Sequence, residues 1–210
     1  MLQSREIGRV AVLLMNDEKK SPQVREQGMT YGDYAALPDD GVRYELADGV
    51  LEAMSPSAAP RHQVISSALE RILESSCQSE YLILHAPLDV ILSEREVRQP
   101  DIVMIHRDRL SILSKRGVEG APDLVVEILS PSSMKRDKVS KLRVYAQYGI
   151  PEYWIVDVTG SILEQYLIQE GRYELADVYT EDEPVRSTQL TCVHFTMNQI
   201  VARIPNLPNL

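Results

Sequence analysis

Apolar positions recur along this chain with two periods, and the switches between them mark the elements. Thr30, with Asp33 three residues on, caps a short helix whose apolar side is Tyr31, Tyr34, Ala35 and Leu37. Pro38-Asp39-Asp40-Gly41 ends it. From Arg43 to Met54, Tyr44 and Leu46 alternate with Arg43 and Glu45, and Asp48-Gly49 is a type I′ turn signal, so a β-hairpin is predicted. Ser55 to Pro60 is a loop. The next helix, Arg61 to Ser76, carries the stripe Ile65, Leu69, Ile72 and Leu73, widened by Val64 and Ala68. His62 sits in its first turn. Tyr81 to Leu84 and Asp89 to Leu92 read as short strands, with a charged turn from Ser93 to Arg98. Gln99 to Ile105 is a third, with Asp101 near its start. Arg107 to Lys115 is polar, with Leu110 and Leu113 facing inward.

The stretch Pro122 to Asp157 dominates the pattern, as strand, turn, helix, turn, strand. Its first apolar run, Leu124 to Leu129, is broken by one carboxylate, Glu127, and ends at Ser130-Pro131. A basic helix from Ser133 to Tyr148 is expected to bury Val139, Leu142, Tyr145 and Ala146, and Gly149 and Pro151 stop it. Tyr153 to Val158 is the second strand and holds Trp154, the only tryptophan. Ile162 to Ile168 and Tyr173 to Tyr179 make a last hairpin, and a short helix starts near Thr196. Strands outnumber helices around a β-α-β unit, so the fold class is α/β (α+β), with a mixed central sheet flanked by helices. Residues 1–28 are expected to be a peripheral arm, and 29–210 a single domain.

Composition changes this picture little: 44% hydrophobic and 25% charged residues describe an ordinary globular chain. No apolar run approaches the ~20 residues of a membrane span, and a cytoplasmic location is the default. Cys77 and Cys192 lie 115 positions apart, with no metal-ligand or redox spacing, and reduced core thiols are expected. The net charge of −9 argues against indiscriminate nucleic-acid binding. Basic residues nevertheless gather locally, as Lys135, Arg136, Lys138, Lys141 and Arg143, and as Arg107, Arg109, Lys115 and Arg116. They make either a local basic patch or solvated helix and loop faces.

The chemistry lies in acids on apolar strands. There is no glycine-rich phosphate loop, no GxSxG elbow and no histidine pair at metal spacing. A carboxylate in a buried strand costs several kcal/mol, on the order of 2–7 kcal/mol for even a neutral polar group, unless it is paired or holds a metal. Strand alternation puts Val125, Glu127 and Leu129 on one face and Leu124, Val126 and Ile128 on the other. If the strand begun by Asp101 is its neighbour, Asp101 and Glu127 converge at one rim. Two hard carboxylates suit Mg²⁺ or Mn²⁺, which polarises a phosphodiester and activates water. Asp137, Lys141 and Tyr145, at i, i+4 and i+8, bring a cation to the same place. Structural readings of the same residues are a strand cap at Asp101, an arginine partner for Glu127, and a surface helix pair worth about 0.3–0.5 kcal/mol for Asp137 and Lys141.

In order and spacing these segments resemble the Uma2 family of restriction-endonuclease-like proteins, from Met29 to Tyr179. The matching pieces are Tyr44-Glu45-Leu46 with Asp48-Gly49, Met54-Ser55-Pro56, His62-Gln63, Gln99-Pro100-Asp101, and Pro122 to Pro131. Asp137 with Lys141, Tyr145 and Gly149, and Glu152 to Asp157, complete them. The family looks like a variant of the PD-(D/E)xK nucleases. The resemblance implies a restriction endonuclease-like fold with Asp101 and Glu127 as its two acids and Glu45 as an additional one. Leu129 stands where the strand lysine of that motif belongs, and Lys141 is the relocated lysine. Pro122-Asp123 imitates the motif, but Asp123 lies four residues from Glu127 on the same strand.

A metal-dependent endonuclease hydrolysing DNA is therefore expected. Glu45, Asp101 and Glu127 would bind Mg²⁺ or Mn²⁺, Lys141 would assist water, and Lys135, Arg136 and Lys138 would meet the backbone. A homodimer would suit two-strand cutting. The alternatives are a non-catalytic nuclease-fold module binding DNA or a protein, and a hydrolase of a small phosphorylated molecule. His62 contacts phosphate or water in one reading and only backbone in the other.

Overall fold

A computed structural model of the chain describes residues 28–54, 59–130, 134, 136–157 and 159–205. The expected arm, apart from Gly28, lies outside them, as do Lys135 and Val158. Helix α1 (Tyr31–Ala35) has the predicted capping box, with Thr30 and Asp33 exchanging hydrogen bonds. Strands β1 (Tyr44–Ala47) and β2 (Val50–Ala53) form the predicted hairpin. Asp48 and Gly49 have φ of 48° and 74°, both positive as a type I′ turn demands. Helix α2 (Pro60–Cys77) buries Ile65, Ala68, Leu69, Leu73 and Cys77 at helical spacing.

The β-α-β unit is present as strand β9 (Leu124–Ile128), a π-helical turn (Arg136–Lys141) continuing into helix α3 (Leu142–Gln147), and strand β10 (Glu152–Asp157). The crossover makes β9 and β10 parallel, with Glu127 beside Ile155. Strand β3 (Tyr81–His85) and strand β6 (Ile102–His106) add antiparallel neighbours on one side of β9. The hairpin of β11 (Ile162–Gln169) and β12 (Arg172–Thr180) extends the sheet beyond β10. The order is β12-β11-β10-β9-β6-β3, the mixed central sheet expected.

Strand alternation then distributes the core. Ile102, Met104, Val126, Ile128, Trp154 and Val156 pack on one face against Leu69 and Leu73 of α2 and against Phe195 and Met197 near the C-terminus. Val103, Ile105, Val125, Tyr153 and Ile155 pack on the other against Tyr145 of α3. Glu127 belongs to this second face, between Val125 and Leu129. At about 25 cal/mol per Å² of apolar area removed from water, these two layers supply the main drive for the central sheet.

Three expectations need correction. The segment Ser93 to Arg98 is not only a turn: strand β5 (Glu96–Arg98) runs through it and is buried at every position. With strand β4 (Val90–Ser93), β7 (Leu113–Ser114), β8 (Gly117–Glu119), β1 and β2 it forms a second six-stranded sheet, ordered β2-β1-β5-β4-β8-β7. Its charges are tolerated inside because Arg98 pairs with Glu96 and Glu45. Val139 is not buried but 61% exposed. The inward side of its helical turn is taken by Asp137 and Lys141, two residues away on either side, which forces Val139 outward. Cys77 and Cys192 are not free thiols; they form a disulfide, with their Cα atoms 5.2 Å apart. Packing of the C-terminal segment, which includes α4 (Met197–Val201), on α2 joins positions that sequence distance kept apart. Among the described residues no helix is long and apolar enough to cross a membrane.

The disulfide closes a loop of 115 residues. Replacing both cysteines by alanine is expected to lower the unfolding free energy by about 2–5 kcal/mol. Urea denaturation under non-reducing conditions measures it, and reductant should lower the parent to the variant's midpoint while leaving the variant unmoved.

Candidate active site

The residues singled out on β1, β9 and the π-helical turn meet around one ammonium group. Asp137, Lys141 and Tyr145 form the predicted stripe, and all three are buried. Lys141, 1% exposed, donates from Nζ to Glu127 Oε1 at 2.7 Å. Its nitrogen also lies 3.0 Å from Glu45 Oε1 and 3.7 Å from Asp137 Oδ1. Tyr145 Oη donates to the same oxygen of Glu127 at 2.8 Å. Glu45 is held in turn by Arg98 Nη1 at 3.3 Å and by the Gln99 backbone N–H at 3.0 Å. The lysine stem fits because the i, i+4 step stacks it above Asp137 while the helical turn lies over the Glu127 face of the sheet.

Asp101 stands at the rim of the same sheet. The antiparallel pairing of β6 with β9 runs from Met104 with Leu124 to Ile102 with Val126, and Asp101 is the next residue beyond it. Asp101 Oδ2 accepts the Ile128 backbone N–H at 2.7 Å and lies 3.2 Å from His62 Nε2, which is itself 3.0 Å from the Ile128 carbonyl oxygen. Among the described residues nothing donates to the other oxygen of either carboxylate, Oδ1 of Asp101 or Oε2 of Glu127.

Negative charge is in excess here. Glu45, Glu96, Glu127 and Asp137 are buried carboxylates, faced by the buried cations Arg98 and Lys141 and by the partly exposed Arg136. Burial pushes the Glu127 carboxyl up to about 8, Lys141 opposes the shift, and the charges of Asp137, Asp101 and Glu45 add to it. Glu45 moves the other way, down to about 2, because Lys141, Arg98 and Arg136 outweigh its burial. Burial works against the Lys141 ammonium, but Glu127, Glu45 and Asp137 more than compensate and raise it above the ordinary lysine value. Tyr145 is raised well above the ordinary phenol value, mainly by burial and then by Glu127, and remains a donor.

Of the residues expected at the site, Lys141 is in direct contact with Glu45 and Glu127, and Asp101 is tied to the backbone of Ile128, next to Glu127. Among the described residues, however, no three Asp, Glu, His or Cys side chains are gathered as a ready metal-ligand set. Glu45, expected as a third ligand, has its oxygens engaged by Lys141, Arg98 and the Gln99 N–H. Asp123 is not part of the cluster: it accepts from the His106 N–H at 2.7 Å and from Arg109 Nη1 at 2.5 Å. Lys138, expected to meet a nucleic-acid backbone, pairs with Glu164 at 2.5 Å, and Arg136 lies 3.9 Å from Asp137. Lys135 lies outside the described residues. Sequence reasoning missed Arg98 and Glu96. Their signal was available: they are two apart, on one side of a strand whose middle residue is Val97.

Replacing Lys141 by methionine keeps the volume and leaves Glu45, Glu127 and Asp137 without their shared cation. A loss of about 3–5 kcal/mol is expected, since breaking a buried ion pair strands the partner charge. Urea unfolding at pH 7 measures it, and a variant as stable as the parent would show the cluster to be wet and weak.

Comparison with known proteins bears on the family and the fold. Residues 31–198 match the family model described as "Uma2: Putative restriction endonuclease". Among solved structures, one described as "a putative nuclease belonging to DUF820", from Anabaena variabilis ATCC 29413, superposes with a TM-score of 0.68. It is 18% identical, and the match covers 83% of this chain and 98% of that one, a likeness of fold. No curated protein matches the chain. The family match takes in every element that bears on the site, from β1 through β9 and the lysine-bearing turn, and the chain belongs to the Uma2 family.

Proposed function

We propose that this protein is an endonuclease that hydrolyses DNA phosphodiester bonds with a divalent metal, Mg²⁺ or Mn²⁺, as cofactor. The observation that carries the reading is the Asp101 carboxylate bound to the Ile128 backbone N–H at 2.7 Å, one residue from Glu127, with the Lys141 ammonium 2.7 Å from Glu127. The donor set suits the metal. Two hard carboxylates each retain one oxygen without a hydrogen-bond donor among the described residues. They stand in a cluster with more acids than cations, and a small divalent ion that keeps several waters needs only one or two protein carboxylates. Asp101 and Glu127 would hold it, with Glu45 behind them fixing Lys141.

Bound there, the metal supplies Lewis-acid polarisation of the phosphodiester and a more acidic water. The side chains divide the remaining work. Lys141 keeps its proton, because three carboxylates raise its affinity for it, so it is a fixed cation and donor rather than a base. It can orient water or balance charge growing on the phosphorus oxygens. Tyr145 shares Glu127 Oε1 with it and holds that carboxylate in one rotamer. Buried donors set in place before reaction act in a low dielectric without reorganising, which is where such interactions count most. A homodimer with one such site per protomer would cut both strands about a two-fold axis.

Asp101→Ala and Glu127→Gln are each expected to lower Mg²⁺-dependent plasmid cleavage by at least about a hundredfold. Their circular-dichroism spectra should match the parent's. Absence of cleavage by the parent protein in Mg²⁺ or Mn²⁺, with no Mn²⁺ binding by calorimetry, would overturn the proposal. A second expectation concerns pH. Glu127 must lose its proton to ligate a metal, and its carboxyl titrates at about 8. Mn²⁺ affinity should therefore rise about tenfold per pH unit from pH 6 and level off above pH 8, with close to one proton released per ion below the plateau. Calorimetry in two buffers of different ionisation enthalpy reads both. Affinity that is flat across this range would remove Glu127 from the ligand set.

A further inference from the structure

His62 has no task in that chemistry, yet it reaches the rim of the site. Its Nε2 faces two oxygens at once, Asp101 Oδ2 at 3.2 Å and the Ile128 carbonyl at 3.0 Å. Both are acceptors, so Nε2 carries the hydrogen; without it three lone-pair atoms would crowd one another. Nδ1 is buried and makes no hydrogen bond among the described residues. With Nε2 engaged and Nδ1 enclosed, the imidazole offers no atom to a phosphate or to bulk water. The geometry points to His62 as a positioning residue: it locks the Asp101 carboxylate so that Oδ2 faces the protein and Oδ1 faces the reaction site. This inference rests on the reading of Asp101 as a metal ligand, which it deepens.

Three elements meet in the lock. His62 comes from the first turn of α2, Asp101 from the residue just before β6, and Ile128 from the end of β9. Ile128 supplies both a donor and an acceptor: its N–H binds Asp101 Oδ2 at 2.7 Å and its carbonyl oxygen receives His62. Asp101 Oδ2 thus meets two donors, the Ile128 N–H and His62 Nε2, while Oδ1 meets none among the described residues, which fixes the rotation of the carboxylate as well as its position. Rotation about the last side-chain bond of an aspartate is otherwise soft and two-fold. A free carboxylate exchanges its oxygens, and a ligand must then be ordered at each binding event. Partners of this outer kind usually change metal affinity about 10–100-fold. Ile65, Leu69 and Leu73 of α2 pack on the face opposite Glu127, and the first turn carries His62 to Asp101 and Ile128.

The full-length protein and two variants test the assignment. His62→Ala removes the donor, whereas His62→Gln keeps an N–H at about the reach of Nε2. The first readout needs no metal. Hydrogen exchange at the Ile128 amide, followed by NMR, should speed up in His62→Ala, because Asp101 is released, and return toward the parent rate in His62→Gln. The second is Mn²⁺ affinity by electron paramagnetic resonance: weaker by about 10–100-fold in His62→Ala and within a few-fold of the parent in His62→Gln. Unchanged Ile128 exchange in a folded His62→Ala protein would overturn the inference whatever the metal does. A parent that binds Mn²⁺ with the same affinity as His62→Ala would overturn it as well. A parent that binds no Mn²⁺ would instead overturn Asp101 as a ligand, and with it the task assigned to the lock. If His62→Ala fails to fold, His62→Gln carries the test alone: parental exchange at Ile128 supports the lock, and raised exchange refutes it.

Discussion

A primary ammonium buried to 1% exposure has to be neutralised where it lies, and that requirement organises this molecule. Lys141 is held by Glu127 from β9, Glu45 from β1 and Asp137 from its own turn. The pairs are not an economical source of stability, since desolvating each ion costs several kcal/mol and attraction returns only part of it. What they supply is mutual dependence. Hairpin, central strand and helical turn must all be in register before all of these charges are satisfied. The same demand turns the π-helical segment so that Asp137 and Lys141 face the sheet and Val139 faces water. π-Helical turns are uncommon and frequently accompany functional sites.

The two faces of the central sheet have separate tasks. One is sealed by α2 and the disulfide-linked C-terminal segment with apolar side chains such as Trp154, Val126 and Leu69. The other combines an apolar floor, Val103, Val125 and Ile155, with the ionic cluster at one end. A polar group is tolerable inside only if its partners are fixed, and the rigid floor fixes them. Asp101 and Glu127 sit where the two regimes meet. Glu127 shares one oxygen with Lys141 and Tyr145, and Asp101 shares one with Ile128 and His62. Each carboxylate is therefore half committed to structure, a division that suits a proposed ligand, which must be both oriented and available. Burial, to which the neighbouring acids Asp137, Asp101 and Glu45 add, makes Glu127 hard to ionise.

Much of the fold was legible along the chain because it depends on local rules. The capping box at Thr30 and Asp33, the Asp48-Gly49 turn and the α2 stripe each arise from a few neighbouring residues. So does the β-α-β unit around Ser130-Pro131 and Gly149. The alternation that sets Glu127 apart from Val126 and Ile128 is equally local. The i, i+4 spacing unites Asp137 with Lys141 in sequence and in structure alike. It says nothing reliable about the adjacent Val139, because periodicity alone lets either side of a helix face inward. The strand through Glu96 and Arg98 looks like a charged turn in sequence, since charge signals solvent until a partner is known.

The sequence by itself determined which residue types stand at which side of each element, and hence that a carboxylate lies on a buried strand face and a lysine on the matching helix side. It also carried the order and spacing by which the family is recognised. Only the tertiary structure decided who pairs with whom. Contacts between positions 45 and 141, 62 and 101, or 77 and 192 arise from sheet order and helix placement, which no local spacing encodes. The same is true of charge within the cluster. Glu45 and Glu127 are both strand glutamates in apolar surroundings, yet one lies near 2 and the other near 8. The difference comes from where Arg98, Lys141, Asp137 and Asp101 were placed around them in three dimensions.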